Sequence, residues 1–106
     1  MADAIVSVPA TARRGEVIEI KALVRHPMET GFRHTQTGER IPRNIITNFV
    51  CRYDGVEIFR ATLHPSITAN PLFLFFTVAT QSGALEFRWT GDNGFSLTET
   101  AKIVVS

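Results

Sequence analysis

Cysteine is almost missing from this sequence. The single thiol, Cys51, excludes an internal disulfide, and without any Cys-x-x-Cys, His-x-His or His-Glu-x-x-His spacing the usual metal frameworks are gone. A dominant charge is missing as well. The 11 basic and 10 acidic side chains leave +1 at neutral pH, too little for a field that gathers nucleic acid or an anionic membrane surface. No stretch shows a convincing helical period. The 7 glycines and 5 prolines are scattered as punctuation, so no linker or low-complexity segment divides the chain. Met1 to Pro9 carries neither a basic start nor a long apolar stretch, which argues against a signal peptide and, taken alone, for the cytoplasm.

What is present has ordinary globular make-up. With 44% hydrophobic and 20% charged residues over 106 positions, the chain can bury one core without disulfides or metals, and one domain over 1–106 is expected. The dominant pattern is period two. Along Val17–Val24, Ile18, Ile20, Ala22 and Val24 alternate with Glu19 and Lys21, as in a sheet with one face in a core. Along Ile46–Tyr53, Phe49, Cys51 and Tyr53 oppose Asn48, Val50 and Arg52; Asp54-Gly55 then supplies a hairpin turn into a returning strand, Val56–Leu63. Leu85, Phe87 and Trp89 alternate with Glu86 and Arg88. Gly91-Asp92-Asn93-Gly94 tolerates positive φ for another tight turn before a last strand from about Phe95 to Val105. Adding Ile5–Val8 and Leu72–Val78 gives about seven short strands. The fold class is therefore all-β, two antiparallel sheets packed as an immunoglobulin-like β-sandwich, though the Cys…Trp…Cys framework of true immunoglobulin domains is absent.

Two segments depart from this pattern. The loop from His26 to Asn44, which includes Met28, Glu29, Phe32, Arg33, His34, Arg40 and Arg43, exceeds the ~12 to 15 residues beyond which structureless loops are usually functional. A small hairpin is expected in it around Thr37-Gly38-Glu39. The segment Leu72–Val78 is apolar on both parities. With Leu72, Leu74, Phe76 and Val78 turned to the core, Phe73 and Phe75 come to the outer face. There they either build an apolar patch that a soluble monomer avoids or lie beneath the long loop.

Chemistry finds little support. His26, His34 and His64 could be combined with Glu29, Glu39 or Cys51 into a metal site, but no period sets ligand geometry in a loop, and solvated histidines are the simpler reading. Cys51 shares the core parity of Phe49 and Tyr53, where a thiol is inert. The acidic residues fall singly on strand faces and at turns, with no facing pair, and the glycines sit at turns, so no phosphate loop is formed. Arg33, His34, Arg40 and Arg43 beside Phe32 could serve a single-stranded nucleic acid, but Glu29 and Glu39 dilute the charge, and the same residues suit a protein interface better. A carbohydrate-binding sandwich with exposed rings is an alternative. No catalytic, metal or cofactor-binding residue is assigned, and the chain reads as a binding domain without an active site.

Several segments together carry a family likeness: Arg14-Gly15-Glu16, His26-Pro27-Met28-Glu29-Thr30-Gly31, Ile41-Pro42-Arg43-Asn44-Ile45-Ile46, Asn48-Phe49-Val50-Cys51, Thr68-Ala69-Asn70-Pro71 and Asp92-Asn93-Gly94. In these the chain closely resembles the Z subunits of the thiosulfate-oxidising Sox system, the SoxZ family, over essentially its whole length. The resemblance implies a non-catalytic scaffold that forms a heterodimer with SoxY and meets SoxAX, SoxB and SoxCD transiently. Substrate sulfur then rides on a SoxY cysteine within a glycine-rich arm; this chain ends Ala101-Lys102-Ile103-Val104-Val105-Ser106 and has no such arm. The resemblance also implies the periplasm, reached by export alongside SoxY, against the cytoplasm suggested by the N-terminus alone. Partner-binding candidates are His26, Met28, Glu29, Phe32, Arg33, Arg40, Arg43, Asn44, Asn70, Pro71, Phe73 and Phe75. Of these, Phe73 and Phe75 are expected on SoxY and the loop on the arm or the enzymes. A vacant face leaves self-association of the isolated chain open.

Overall fold

The computed structural model describes residues 3–106. Its strands are β1 (Ala4–Ser7), β2 (Thr11–Ala12), β3 (Val17–Val24), β4 (Ile46–Tyr53), β5 (Val56–Thr62), β6 (Leu72–Val78), β7 (Gly83–Gly91) and β8 (Ser96–Val105), with one 3-10 turn at Asp92–Gly94. One sheet has three strands in the order β1-β3-β6, the other five in the order β2-β8-β7-β4-β5. The chain changes sheet between β1 and β2, β2 and β3, β3 and β4, β5 and β6, and β6 and β7. The two sheets enclose one apolar cluster, so the architecture is the immunoglobulin-like sandwich that the alternation predicts.

The turns obey their residues. Asp54 (φ 49°) and Gly55 (φ 84°) both adopt the left-handed conformation that a two-residue β4–β5 hairpin needs, and Asn93 (φ 60°) and Gly94 (φ 73°) do so between β7 and β8. The Tyr53 hydroxyl donates to the Gln81 carbonyl and accepts the Gln81 N–H (3.2 Å), which pins the β6–β7 loop to the end of β4. Two findings were not in the alternation. β2 has only two residues, too few for a period, and it runs parallel to β8 with Thr11 beside Val104 and Ala12 beside Val105. A parallel pair therefore closes one edge of an otherwise antiparallel sandwich.

The second finding reverses an expectation. In β6 the rings of Phe73 and Phe75 face the core, Phe75 being only 7% exposed, while Leu72, Leu74, Phe76 and Val78 lie on the outer face. Phe73 stacks on Phe49 (centroids 4.6 Å apart) and Phe75 on Phe59 (4.3 Å), so two flat ring pairs join the sheets. Across the β3–β6 ladder, Phe73 lies beside Ala22 and Phe75 beside Ile20, on β3's buried parity. The small Ala22 leaves room for the ring. Nor does the long loop cover this strand.

This phase has a direct test. Phe75→Ala removes a buried ring and should lower the unfolding free energy by about 3–5 kcal/mol. Phe76→Ala, on the opposite face of the same strand, should change it by about 0.5 kcal/mol or less. Urea midpoints of the two variants distinguish this phase from its reverse.

Candidate functional site

Two surfaces depart from an ordinary sandwich exterior, and the first is the long loop. Glu29 and Asn44 exchange backbone hydrogen bonds at its base (2.8 Å each). The Ile41 N–H donates to Arg33 and the Thr35 N–H to Glu39 further out. The segment is thus a hairpin along most of its length, larger than the one expected around Thr37-Gly38-Glu39. Every residue from Phe32 to Arg40 is exposed. The molecule measures 60 × 24 × 18 Å with a radius of gyration of 16.3 Å, well above the ~13 Å of a compact domain this size. The hairpin is an arm that projects from the sandwich.

Its root is rigid. The Asn70 carboxamide oxygen accepts the His26 backbone N–H (2.9 Å), the Asn70 N–H donates to the His26 carbonyl (2.8 Å), and the Met28 N–H donates to His26 Nδ1 (2.9 Å). The His26 ring meets Phe95 edge-on at 4.9 Å. Met28 is buried with φ 51°, and its sulfur accepts the Ile46 N–H (3.3 Å). Gly31 (φ 87°) lies so close to the opposite limb that a Cβ there would sit 2.9 Å from that of Arg43. Arg43 in turn forks onto Asp92 (2.8 and 2.9 Å), which also accepts the Ile45 N–H (3.1 Å). These hydrogen bonds, that from Arg43 foremost, hold the Asp92 carboxyl below its ordinary pKa.

Four of the segments that carry the family likeness therefore meet at this root: the one beginning at His26, the one ending at Ile46, the one ending at Pro71 and the Asp92-Asn93-Gly94 turn. Their residues hold the arm's base. Pro71 is buried, and its carbonyl accepts the Val24 N–H (3.2 Å). The arm itself carries Phe32, 70% exposed, with the Arg40 guanidinium 6.0 Å from the ring centre and donating to the Gly31 carbonyl. Arg33 forks onto Glu29 (Nη2–Oε1 2.6 Å), which removes one cation from the exposed set. His26, expected among the solvated histidines, is only 4% exposed, whereas His34 and His64 are exposed. Asp92 and Phe95, which tie and cover the root, were not singled out as site residues. Asp92's signals in the sequence are its place in the Gly91–Gly94 turn and in the Asp92-Asn93-Gly94 segment of the family likeness.

The second surface is the outer face of β1-β3-β6. Ile5, Val17, Leu72, Leu74, Phe76 and Val78 are each 45–64% exposed there. Pro71 O and Ala79 N–H both bond toward β3, so by alternation Leu72, Leu74, Phe76 and Val78 turn their own backbone groups to the sheet's outer edge. That edge pairs with no other strand among the described residues. It carries no charged residue, proline or bulge to protect it, which is unusual for a sheet edge that meets only water.

Cys51 lies between the sheets with no exposed surface, and burial pushes its thiol pKa up to about 12. Among the described residues, no three His, Cys, Asp or Glu side chains converge on a point that could hold a metal ion.

A family model described as "Sulphur oxidation protein SoxZ" matches residues 6–102. The chain belongs to the SoxZ family. It is thereby a sulfur-oxidation protein of the Sox system. No curated protein sequence matches it. Among solved structures, a superoxide reductase (neelaredoxin) from Ignicoccus hospitalis is similar with a TM-score of 0.74 at 16% identity, over 99% of this chain and 81% of that one. The sulfur carrier protein SoxY from Chlorobium limicola f thiosulfatophilum gives 0.71 at 10% identity, over 100% and 81%. A putative superoxide reductase from Thermotoga maritima gives 0.73 at 15%, over 97% and 85%. At such identities the likeness speaks for the fold alone.

Two measurements follow for this SoxZ-family chain. Burial lowers the His26 pKa below 6.5, with Asp92 opposing in part, and Nδ1 already accepts a hydrogen bond in the neutral form. The neutral-His26 contribution is thus complete above pH 6.5 and is lost as pH falls from there toward the folded-state value. Unfolding free energy should decline from pH 7 to 5 by at most about 1.4 kcal/mol per pH unit from this group, and His26→Asn should flatten that slope. Separately, native Cys51 should resist a thiol reagent at pH 8 and react only in urea.

Proposed function

We propose that this chain is the scaffold half of a sulfur-carrier heterodimer: it binds SoxY, has no catalytic residue of its own, and presents the intermediates held on SoxY's cysteine to SoxAX, SoxB and SoxCD. One observation carries the reading, the bare apolar face and unprotected edge of β6. Such a surface is costly to leave in water and suits a permanent partner. Family membership supplies the kind of partner, and a carrier subunit with the same fold exists among solved structures.

Other features agree with a holding role. A thiol with no exposed surface and a pKa near 12 is unsuited to carry substrate sulfur, so the covalent chemistry belongs to the partner. The arm, with Phe32 and Arg40 held outward on a rigid root, has the aromatic and arginine character of an interface anchor and is assigned to docking the enzymes or the carrier segment. Phe73 and Phe75 act indirectly, by fixing the strand whose other side meets SoxY. The site of action is the periplasm, reached by export together with SoxY.

Co-expression with SoxY, affinity capture and intact-mass analysis under thiosulfate turnover test this. The pair should co-purify, with sulfur adducts on SoxY and none on this chain. Leu74→Glu combined with Phe76→Glu should weaken the pair at least about tenfold while the circular dichroism stays unchanged. Capture equal to wild type would remove β6 from the interface, and a stable adduct on Cys51 would overturn the scaffold role.

A further inference from the structure

The outer face of β1-β3-β6 has an internal symmetry. The ladder places its side chains in four rows: Val17 beside Val78, Glu19 beside Phe76, Lys21 beside Leu74, and Leu23 beside Leu72. Read from either end, an apolar pair comes first, then a charge beside an apolar residue. The charge is negative from one end and positive from the other. Glu19 and Lys21 are both about half exposed and 3.6 Å apart within the chain.

We infer that this face pairs with a second copy of the same chain. Two sheets stacked face to face about a two-fold axis that lies between them, across the strands and midway between the second and third rows, reverse the order of the rows. Val17 then meets Leu23 of the other copy, Glu19 meets Lys21, Phe76 meets Leu74 and Val78 meets Leu72. Every apolar residue of the four rows finds an apolar one, and two reciprocal ion pairs form at the centre, as an isologous interface requires. A two-fold axis along β3 instead sets Glu19 on Glu19 and Lys21 on Lys21, and one along the strands midway between β3 and β6 sets Glu19 on Phe76 and Lys21 on Leu74; like charges or charges on apolar side chains disfavour both.

The area suffices. The exposed apolar side chains of the face, Ile5 included, offer on the order of 600 Å² per copy. With the charged rows and rim added, this approaches the ~800 Å² per partner of a stable interface. The packing continues the sandwich by adding a layer at the ~10 Å spacing of stacked sheets. The pairing concerns the chain alone and does not rest on the assignment of SoxY to this face.

Sedimentation analysis of the purified chain without any partner protein tests the inference. A species of twice the 11.8 kDa mass should accumulate with concentration. Leu74→Glu should shift the dimerisation constant at least about tenfold toward monomer. Glu19→Lys and Lys21→Glu should each weaken the dimer about threefold or more, and the double exchange Glu19→Lys with Lys21→Glu, which restores opposite charges across the axis, should recover most of the loss. Thermal melts confirm that each variant is folded. A chain monomeric up to about 0.5 mM, a dimer indifferent to Leu74→Glu, or a double exchange as weak as the single changes would each overturn it.

Discussion

Two stacked ring pairs, Phe73 on Phe49 and Phe75 on Phe59, join the sheets, and both exterior surfaces depend on them. Side chains alternate along a strand, so turning these rings inward commits Leu72, Leu74, Phe76 and Val78 to the outside. Burying each ring contributes about 2–3 kcal/mol, and the flat contacts add about 0.5–1.5 kcal/mol beyond area. The apolar face of β6 is thus the unavoidable counterpart of a well-packed core. A strand that is apolar on both sides is what such a double duty requires.

The arm's root sets the register that makes this possible. His26 follows β3, Asn70 precedes β6, and their reciprocal hydrogen bonds extend the β3–β6 ladder beyond the strands. The same His26 seats Met28 and packs on Phe95, and Arg43 ties the hairpin's second limb to Asp92. The arm and the apolar face are therefore linked through a few polar contacts, of which the one from Met28 to His26 is buried. A root of this kind can hold a protruding hairpin in one direction, because Met28, Gly31 and Asn70 take positive φ there and the buried imidazole is hydrogen-bonded to Met28.

A face that suits both a carrier partner and a second copy has a consequence for assembly. The two occupants proposed for it would use the same side chains, so one would exclude the other. Sandwich subunits of shared fold can exchange a self-complementary contact for a heterologous one without changing their cores, and the apolar surface is then never left bare.

All strands but the two-residue β2, their turns and the core parity of β3, β4 and β7 were legible in the sequence because these strands bury mainly one face. One-sided burial, broken in β4 by the buried Ile46 and Val50, writes a period-two pattern that needs no knowledge of the partner strand. The family likeness was legible too, in six segments of which four converge at the arm's root. The phase of β6 was not, since a strand apolar on both sides has no parity to read, and only its neighbours Ala22 and Ile20 and the rings of Phe49 and Phe59 decided which side went in. Nor was the burial of His26, which depends on Asn70 and Phe95, partners distant along the chain. Cys51 shows the division well: its parity predicts burial, and the packing of the sheets makes that burial complete. By itself the sequence determined which residues alternate; the tertiary structure decided which of two apolar sides faces water, because that choice rests on shape and register across the sheets and on no local property of the chain.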